Sequence, residues 1–451
     1  MIRRDPFYFR VFCITFWVLA TIYFVAEELL PFTFPTGTIT LIGDFVFLIL
    51  GLVTLKSKWD KNFILAFFVF AIIVSLLNNI PFILIINGAR DYIGLFFTYI
   101  ILKYFFTCNE SYRYRQSIDK QLLIFLILQS FCVTVQFLRY GAGDEGGGSL
   151  GHYNSGNISI LIISLSFYFV IKNWDSSNYL RSLWQNRWYI LLIFPVFLNE
   201  TKASFVLILI YFVLLFGLSW KSTGKILIAI PVLILLVIGM QAAYNWVLDR
   251  NDEIASNDFI DDYLTGGEDI DEILDYFEYL TDNELGINDF SREVLSGYDL
   301  PDAPRIFKIA IMPDAMMETP GGIWFGAGLG HTKGGTSLER TQFMSDHWVI
   351  YYGTVLMAHV WFLAIGIIGL IFIIVWFKKV LAFKRRYGRM PLEMKIFLTI
   401  LILFTFFYNV FFIHLCDTTI FYYLCLTTCY PLIKKDHEKL PASRFNYSSG
   451  L

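Results

Sequence analysis

The sequence predicts an all-α polytopic membrane protein with about 12 transmembrane helices and one large, partly helical extracytoplasmic loop. Its composition supports this class, because 56% of the 451 residues are hydrophobic, only 16% are charged, and the mean hydropathy is +0.58. These values exceed what a soluble domain needs to fill its core. Apolar runs of about 16 to 22 residues recur along most of the chain, and a helix of that length crosses the hydrocarbon core of a bilayer.

The apolar runs divide the chain into helical and loop regions. The predicted spans lie near residues 11–29, 39–55, 63–80, 91–107, 121–138, 158–171, 188–198, 204–219, 226–246, 349–377, 394–413 and 418–433. The predicted regions are helices 1–9 in residues 1–248, an acidic extracytoplasmic cap loop in 249–346, helices 10–12 in 347–435, and a cytoplasmic tail in 436–451. This division predicts a membrane domain that one large loop interrupts.

Lysine and arginine are distributed unevenly between the two predicted sides of the membrane. If the N-terminus is cytoplasmic, 26 of the 35 Lys and Arg residues fall in cytoplasmic segments, as the positive-inside rule expects. The short span 188–198 could instead merge with 204–219 into one bent helix, but this would move seven basic residues of 378–395 to the outside. We therefore predict that both termini are cytoplasmic. Glu27 and Glu28 follow the first apolar run where a cleavage site would need small residues, so this helix is expected to remain as an anchor.

The predicted outer loop is strongly acidic. Residues 249–346 contain 22 acidic and six basic residues, a balance that a merely solvated surface would also explain. Apolar residues recur at helical spacing over 268–281, which predicts an amphipathic helix lying on the membrane domain. Pro304 predicts that a second helix begins near 302–304. The loop is therefore expected to be a folded cap.

Three basic residues outside the cytoplasmic segments are candidates for binding phosphate. Arg305 begins an apolar helix in the acidic loop, and its guanidinium suits phosphate or pyrophosphate, although an ion pair with a neighbouring carboxylate explains it equally well. Lys202 lies between two predicted helices, and Arg90 begins the fourth. Both could contact a lipid phosphate, or they could pair with Glu200 and Asp91.

His347 is the candidate general base. It lies in Ser345-Asp-His-Trp348, where the loop returns to the membrane at the predicted tenth helix. Histidine is the side chain best suited to abstract a proton near neutral pH, and Asp346 or another carboxylate could orient it. The alternative is that this histidine, beside a tryptophan, only anchors the chain at the membrane surface.

Two glycine-rich segments invite different interpretations. The segment 146–157 is predicted to be a flexible outer loop in which His152 and Asn154 bind sugar hydroxyls, although such loops are often only connectors. The segment 326–330, Gly-Ala-Gly-Leu-Gly, superficially matches a dinucleotide fingerprint, but no strand precedes it. Its glycines are therefore expected to form a tight turn close to a ligand or to the membrane domain. No HExxH motif and no CxxC pair occurs, so neither a metal nor a cofactor is predicted.

In their order along the chain, these segments resemble the O-antigen polymerase and O-antigen ligase superfamily of bacterial surface-polysaccharide assembly. The matching stretches are Leu150-Gly-His-Tyr-Asn154, Thr201-Lys-Ala-Ser204, Arg305 through Gly330, and Asp346-His-Trp-Val-Ile-Tyr-Tyr-Gly353. The resemblance covers roughly residues 80–435, and its motifs are short, so their order carries more weight than any single match. Lysine replaces the arginine usual at position 202, and tryptophan follows His347 instead of asparagine.

The resemblance implies a metal-independent, inverting glycosyltransferase with no cofactor in the bacterial inner (cytoplasmic) membrane. It would polymerise polyprenyl-pyrophosphate-linked oligosaccharide repeat units into O-antigen, capsular or exopolysaccharide at the outer face, with the large loop periplasmic or extracellular. By that resemblance, Arg305, Lys202 and Arg90 would hold the pyrophosphate, and His347 would deprotonate the acceptor hydroxyl. Besides the lipid-linked glycan and membrane lipid, a chain-length regulator and a flippase are the expected partners, and nucleic acid is not.

Three other functions remain open at this point. A ligase of the same superfamily would transfer the finished glycan to lipid A core or to a protein. A lipid-linked glycan transporter or flippase would have a similar number of helices, although neither an internal repeat nor an inverted pair of broken helices is evident. A sensor or scaffold with a ligand-binding cap would need neither Arg305 nor His347 for catalysis.

Overall fold

The fold is all-helical throughout the residues that the structure describes, with 86% of them in helices and no strand. The computed structural model describes residues 5–30, 35–108, 110–141, 146–152, 154–174, 179–198, 202–215, 305–331, 341–347, 350, 356–383, 392–407, 412 and 414–427. Seven of its helices are long and apolar enough to cross a membrane. The predicted all-α class is therefore confirmed, and these seven helices fit the predicted membrane protein by length and composition. The predicted span 226–246 and the predicted helix 268–281 lie outside the described residues.

Fifteen α-helices are described. They are α1 (Asp5–Phe24), α2 (Thr36–Thr54), α3 (Lys58–Leu77), α4 (Phe82–Thr107), α5 (Ser111–Tyr140), α6 (Ser155–Lys172), α7 (Tyr179–Gln185), α8 (Arg187–Leu191), α9 (Lys202–Leu215), α10 (Arg305–Met317), α11 (Gly322–Phe325), α12 (Gln342–Asp346), α13 (Met357–Phe383), α14 (Leu392–Phe407) and α15 (Leu415–Leu426). A π-helical turn, Val25–Leu29, extends α1, and 3-10 helices occupy Gly148–Leu150 and Phe194–Leu198. The seven helices with the length and apolarity of a membrane span are α1 to α6 and α13.

Local sequence explains where several helices begin. The Ser57 hydroxyl accepts a hydrogen bond from the Asp60 N–H and caps α3. Pro81 stands immediately before α4, where its missing N–H costs nothing. A helix is observed where the sequence predicts one, since α10 is described from Arg305 onward, and the predicted start at 302–304 lies outside the described residues. The predicted position of Arg90 at the start of the fourth helix is wrong, since α4 begins at Phe82 and Arg90 lies about two turns inside it.

Two predicted spans differ in form from the observed helices. The span 188–198 is not one helix but α8 followed by the 3-10 helix Phe194–Leu198, because Pro195 cannot donate an intrahelical hydrogen bond. The tenth span was predicted from residue 349, but Leu356 is not helical and α13 begins at Met357. Within α13, Gly366 adopts a φ of 59°, which breaks the helix into two parts.

Helix α6 lies at the centre of the bundle. Of its 18 residues, 89% are buried, compared with 22% of the most apolar window of α2. A helix that is apolar and buried on all sides is surrounded by other helices, whereas one with a large exposed apolar face borders the lipid. Aromatic side chains fill much of the interior, and the largest that are fully buried are Trp361, Trp376, Tyr99, Tyr422 and Tyr423.

The two ends of the bundle differ in composition. We call one the lysine end, because Lys103, Lys172 and Lys379 lie there near the last residues of α4, α6 and α13. We call the opposite end the histidine end. It carries five of the six histidines of the chain, namely His152, His331, His347, His359 and His414. The candidate site residues that the sequence predicts belong to the histidine end.

Candidate functional site

The break in α13 creates a docking point for the glycine-rich segment 326–330. A continuous helix would use the carbonyls of Leu363 and Ala364 for its own hydrogen bonds. Because the helix breaks at Gly366, these carbonyls accept bonds from other residues. The N–H of Ala327 donates to Leu363 O at 2.7 Å, and that of Gly328 donates to Ala364 O at 2.9 Å. The segment is thus joined to α13 through its backbone.

The same segment also packs against α3 and α4. The Leu329 N–H donates to the Ser75 Oγ at 2.7 Å. Gly330 has a φ of 85°, and a Cβ at this position would lie 2.2 Å from the carbonyl oxygen of Leu84, a contact that only glycine avoids. The predicted tight turn close to the membrane domain is therefore confirmed. The turn places His331, which is buried, at the histidine end.

His347 is buried and pairs with a carboxylate that is half exposed. It immediately follows α12, its side chain is only 2% exposed, and its Nε2 lies 3.0 Å from Oε2 of Glu318, the residue that follows α10. The ring of Phe343 packs on the His347 ring with 4.8 Å between centroids. The Nδ1 atom of His347 has no hydrogen-bond partner.

This geometry determines which nitrogen of His347 can act as a base. An ionised carboxylate only accepts hydrogen bonds, so Nε2 carries the proton and donates it to Glu318. In this tautomer Nδ1 carries the lone pair, which is buried and has no hydrogen-bond partner. The sequence predicted that Asp346 or another carboxylate orients His347, and the carboxylate observed is Glu318. It lies 29 residues earlier in the chain, and no motif pointed to it.

Lys308 and His359 are two further buried titratable residues at this end. Lys308 in α10 is 0% exposed, and His359 in the first turn of α13 is 3% exposed. The two lie close enough for the lysine charge to act on the imidazole. The sequence feature that could have indicated Lys308 is its position three residues after Arg305, on an apolar helix within the acidic loop. Arg305 begins α10, and its side chain lies outside the described residues.

Arg90 lines a cavity of about 170 Å³ at the histidine end. Its Nε and Nη2 donate to Oδ2 of Asp44 at 2.8 and 2.7 Å, and its Nη1 donates to Oδ1 of Asn87 at 3.0 Å. Asp91 and His414 also line the cavity. The guanidinium therefore faces the cavity but already binds a carboxylate. Of the two interpretations offered by the sequence, this supports the ion pair, with Asp44 instead of Asp91 as the partner.

The described part of the glycine-rich segment 146–157 is a packed turn. Residues 146–151 are buried, so the prediction that they are flexible is wrong. The N–H of Gly148 donates to the side-chain oxygen of Gln136 at 2.7 Å, and that of Ser149 donates to Gln129 at 2.8 Å. These two glutamines of α5 satisfy the backbone of the turn inside the protein.

His152 and Asn154 are held by neighbouring residues of the protein. The His152 N–H donates to Oε2 of Glu27 at 2.8 Å, and its Nε2 lies 3.3 Å from Oε1 of Glu28. The Asn154 Nδ2 donates to the carbonyl of Leu150 at 2.9 Å. These contacts anchor the turn to α1 and to the start of α6, and the sugar-binding role of the two side chains stays a prediction.

Lys202 is the first residue of α9, and its side chain lies outside the described residues. Among the described residues, no group of three His, Cys, Asp or Glu side chains is arranged to hold a metal ion. The role of Lys202 and the expected independence from metal therefore stay predictions.

The histidine end thus combines a His–carboxylate pair, a buried lysine beside a second histidine, and a cavity lined by Arg90. Comparison with other proteins adds no relative to this description, since neither a protein-family model nor a curated protein matches the chain.

Proposed function

We propose that this protein is a membrane glycosyltransferase that polymerises polyprenyl-pyrophosphate-linked oligosaccharide repeat units. The pair formed by His347 and Glu318 carries the proposal. One ring nitrogen of a buried histidine is bound to a carboxylate, and the other has no partner, which is the arrangement a general base requires. The order of the sequence motifs supports glycosyl transfer as the reaction that this base serves.

In the proposed reaction, Nδ1 of His347 accepts the proton of the acceptor hydroxyl. The hydroxyl oxygen then attacks the anomeric carbon of the donor sugar, and the bond from that carbon to the pyrophosphate oxygen breaks. Its electron pair stays on the polyprenyl pyrophosphate that leaves, and the anomeric carbon is inverted. Glu318 stabilises the positive charge that develops on the imidazole. Arg305 and Lys202 are proposed to bind the pyrophosphate.

The proposal includes about 12 transmembrane helices and a histidine end that faces the periplasm or the exterior of a bacterial inner membrane. Single cysteines test this topology. Met317→Cys at the histidine end should react with an impermeant maleimide in intact cells, and Arg113→Cys near the lysine end should react only after lysis. Burial raises the pKa of the native Cys108 thiol, which lowers the background labelling near Arg113. The reverse pattern would place His347 in the cytoplasm and reject the proposal.

The activity is tested with purified protein in nanodiscs and a polyprenyl-pyrophosphate oligosaccharide. We expect the wild-type protein to produce a ladder of longer glycans, and His347→Gln to lower the rate by about 10²- to 10⁴-fold. His437→Gln, in the predicted cytoplasmic tail, is the matched control and should keep the wild-type rate. The proposal is rejected if the wild-type protein does not elongate the glycan or if His347→Gln elongates it normally.

The same histidine–carboxylate pair would serve a ligase, so the acceptor separates the two enzymes. In a deletion strain, surface glycans with a single repeat indicate a polymerase, whereas accumulated lipid-linked polymer indicates a ligase. One observation favours a transporter instead, because α13 is broken at Gly366 and broken helices form the sites of many transporters. Flux of the lipid-linked glycan across proteoliposomes without a change in its length would identify that function.

A further inference from the structure

Two tryptophans are exposed on the segment formed by α7 and α8. The side chain of Trp184 in α7 is 70% exposed, and that of Trp188 in α8 is 65% exposed. The two residues are four positions apart, and Leu191, three positions further on, is also exposed. Residues at this spacing lie on one face of a helix. A face with several large exposed apolar side chains is typical of a surface that contacts a membrane or another protein.

The guanidinium of Arg187 packs on both tryptophan rings. Its central carbon lies 4.5 Å from the centroid of the Trp184 ring and 5.3 Å from that of the Trp188 ring, as in cation–π contacts. Its Nη1 also donates a hydrogen bond to the Trp184 carbonyl at 2.7 Å. No carboxylate in the described part of the chain pairs with Arg187, so its charge is held in place without a counter-charge there. We call Trp184, Arg187 and Trp188 the tryptophan patch.

Contacts with α6 place the tryptophan patch at the lysine end. The ring of Tyr189 in α8 stacks on the ring of Phe169 in α6 with 5.5 Å between their centroids. Phe169 is three residues before Lys172, the last residue of α6, which corresponds to about 4.5 Å along the helix. The patch lies in the chain between Lys172 and Tyr189, so it is close to the level at which α6 ends.

We propose that the tryptophan patch binds the phosphate headgroup of an anionic membrane lipid. Tryptophan is enriched where the headgroups of a bilayer meet the acyl chains, because its ring is apolar but carries an N–H group. The Arg187 guanidinium offers further N–H groups in a planar fork that fits the oxygens of a phosphate. Since the two rings already hold the guanidinium, it loses little conformational freedom when a lipid binds.

The charge of the patch favours a lipid over a second copy of the chain. In a two-fold symmetric contact through this surface, the same residues of both copies would face each other. The two Arg187 side chains would then repel each other, which opposes such a dimer. An anionic lipid such as phosphatidylglycerol instead supplies the complementary charge, whereas the choline of phosphatidylcholine offsets the charge of its phosphate.

Native mass spectrometry of the full-length protein in detergent, titrated with phosphatidylglycerol or phosphatidylcholine, tests the site. Wild type should bind phosphatidylglycerol more tightly. Arg187→Gln should weaken this binding about fivefold and leave phosphatidylcholine binding unchanged. Trp184→Leu keeps an apolar side chain but removes a ring that holds the guanidinium, so it should weaken phosphatidylglycerol binding severalfold. Arg113→Gln, at an 82% exposed arginine near the same end, is the matched control and should bind like wild type.

The outcomes decide between the lipid site and its alternatives. Equal affinity of wild type and Arg187→Gln for phosphatidylglycerol overturns the site, and so does equal affinity of wild type for the two lipids. A wild-type dimer that Trp184→Leu dissociates would show that the patch joins two copies of the chain instead. If Arg187→Gln does not fold, Trp184→Leu and Arg187→Lys decide, because Arg187→Lys keeps the charge and should keep most of the affinity.

Lipid binding by the patch is independent of the proposed glycan transfer. Arg187→Gln in phosphatidylcholine nanodiscs should therefore elongate a glycan at the wild-type rate. If the wild-type protein does not elongate glycans but prefers phosphatidylglycerol through Arg187, the lipid site stands and the glycosyltransferase is rejected. Elongation by a wild-type protein that binds both lipids equally rejects only the lipid site.

Discussion

The two ends of the helical bundle differ in how their buried acids and histidines are paired. At the lysine end, the almost fully buried carboxylate of Asp60 in α3 binds Lys103 of α4 at 2.8 Å and also Lys379 of α13. Asp119 of α5 binds Lys172 of α6 at 2.7 Å. Asp60 thus joins α3 to both α4 and α13, and Asp119 joins α5 to α6, so this end contributes to stability.

At the histidine end, several buried polar atoms have no partner. They include Nδ1 of His347, Nε2 of His359 and both carboxylate oxygens of Asp417, in the first turn of α15. A buried polar atom without a partner lowers stability by about 1–3 kcal/mol. The difference teaches that the lysine end uses its buried acids to hold helices together, whereas the histidine end combines ion pairs such as Arg90–Asp44 with buried groups that lack a partner, at a cost in stability.

The largest effect is expected at Glu318, which should matter for activity and not for stability. Glu318→Gln keeps the shape of the side chain but removes the charge that orients the His347 imidazole, so glycan transfer should fall about 10²-fold or more. The melting temperature should change little, because the Glu318 side chain is half exposed. Glu110→Gln, at a carboxylate that pairs with the exposed Arg113, is the control and should transfer normally. If Glu318→Gln transfers glycan at the normal rate, the histidine end does not serve activity in the way that distinguishes it from the lysine end.

Asp60 should show the reverse behaviour. Asp60→Asn leaves Lys103 and Lys379 without the carboxylate that they share, so the free energy of unfolding should fall by about 3–5 kcal/mol, as when one member of a buried ion pair is removed. Denaturation in detergent measures this change. The surface variant Glu110→Gln should cost less than about 1 kcal/mol. The glycan-transfer rate per folded molecule of Asp60→Asn should equal that of wild type. A lower rate would mean that the lysine end also serves activity.

Gly330 tests the docking of the glycine-rich segment at the histidine end. Gly330→Ala forces a Cβ onto the Leu84 carbonyl at a positive φ, so unfolding should become easier by about 3 kcal/mol. Gly37→Ala is a matched control, because no atom lies within 4 Å of a Cβ at this position in α2. It should be neutral or slightly stabilising. Equal melting temperatures of the two variants would contradict the observed packing.

The smallest effect is expected at Asp417. Asp417→Asn removes a carboxylate that has no hydrogen-bond partner, so the free energy of unfolding should rise by about 1 kcal/mol instead of falling. A melting curve in detergent measures the sign, with Asp60→Asn as the comparison. A clear loss of stability would mean that Asp417 has a structural partner and that the histidine end resembles the lysine end.

Patterns local in the sequence predicted several elements correctly. Pro304 predicted a helix where α10 lies, and the glycines of 326–330 predicted a turn against the membrane domain. The predictions were wrong where contacts between residues distant in sequence determine how a side chain or a segment packs. The charge of Arg90 is tolerated two turns inside α4 because Asp44 of α2 binds it and because the side chain borders a cavity. The segment 146–151 is rigidly packed because two glutamines of α5 bind its backbone.

The sequence by itself determined the class of the protein, because hydropathy and helix length depend on residues that are near one another in the chain. It also identified His347 as a candidate base from its residue type and position. Only the tertiary structure decided which groups act together. Glu318, which follows α10, contacts His347 because α10 packs against α12 and α13. Such contacts join residues tens of positions apart, and the shape of the fold determines them.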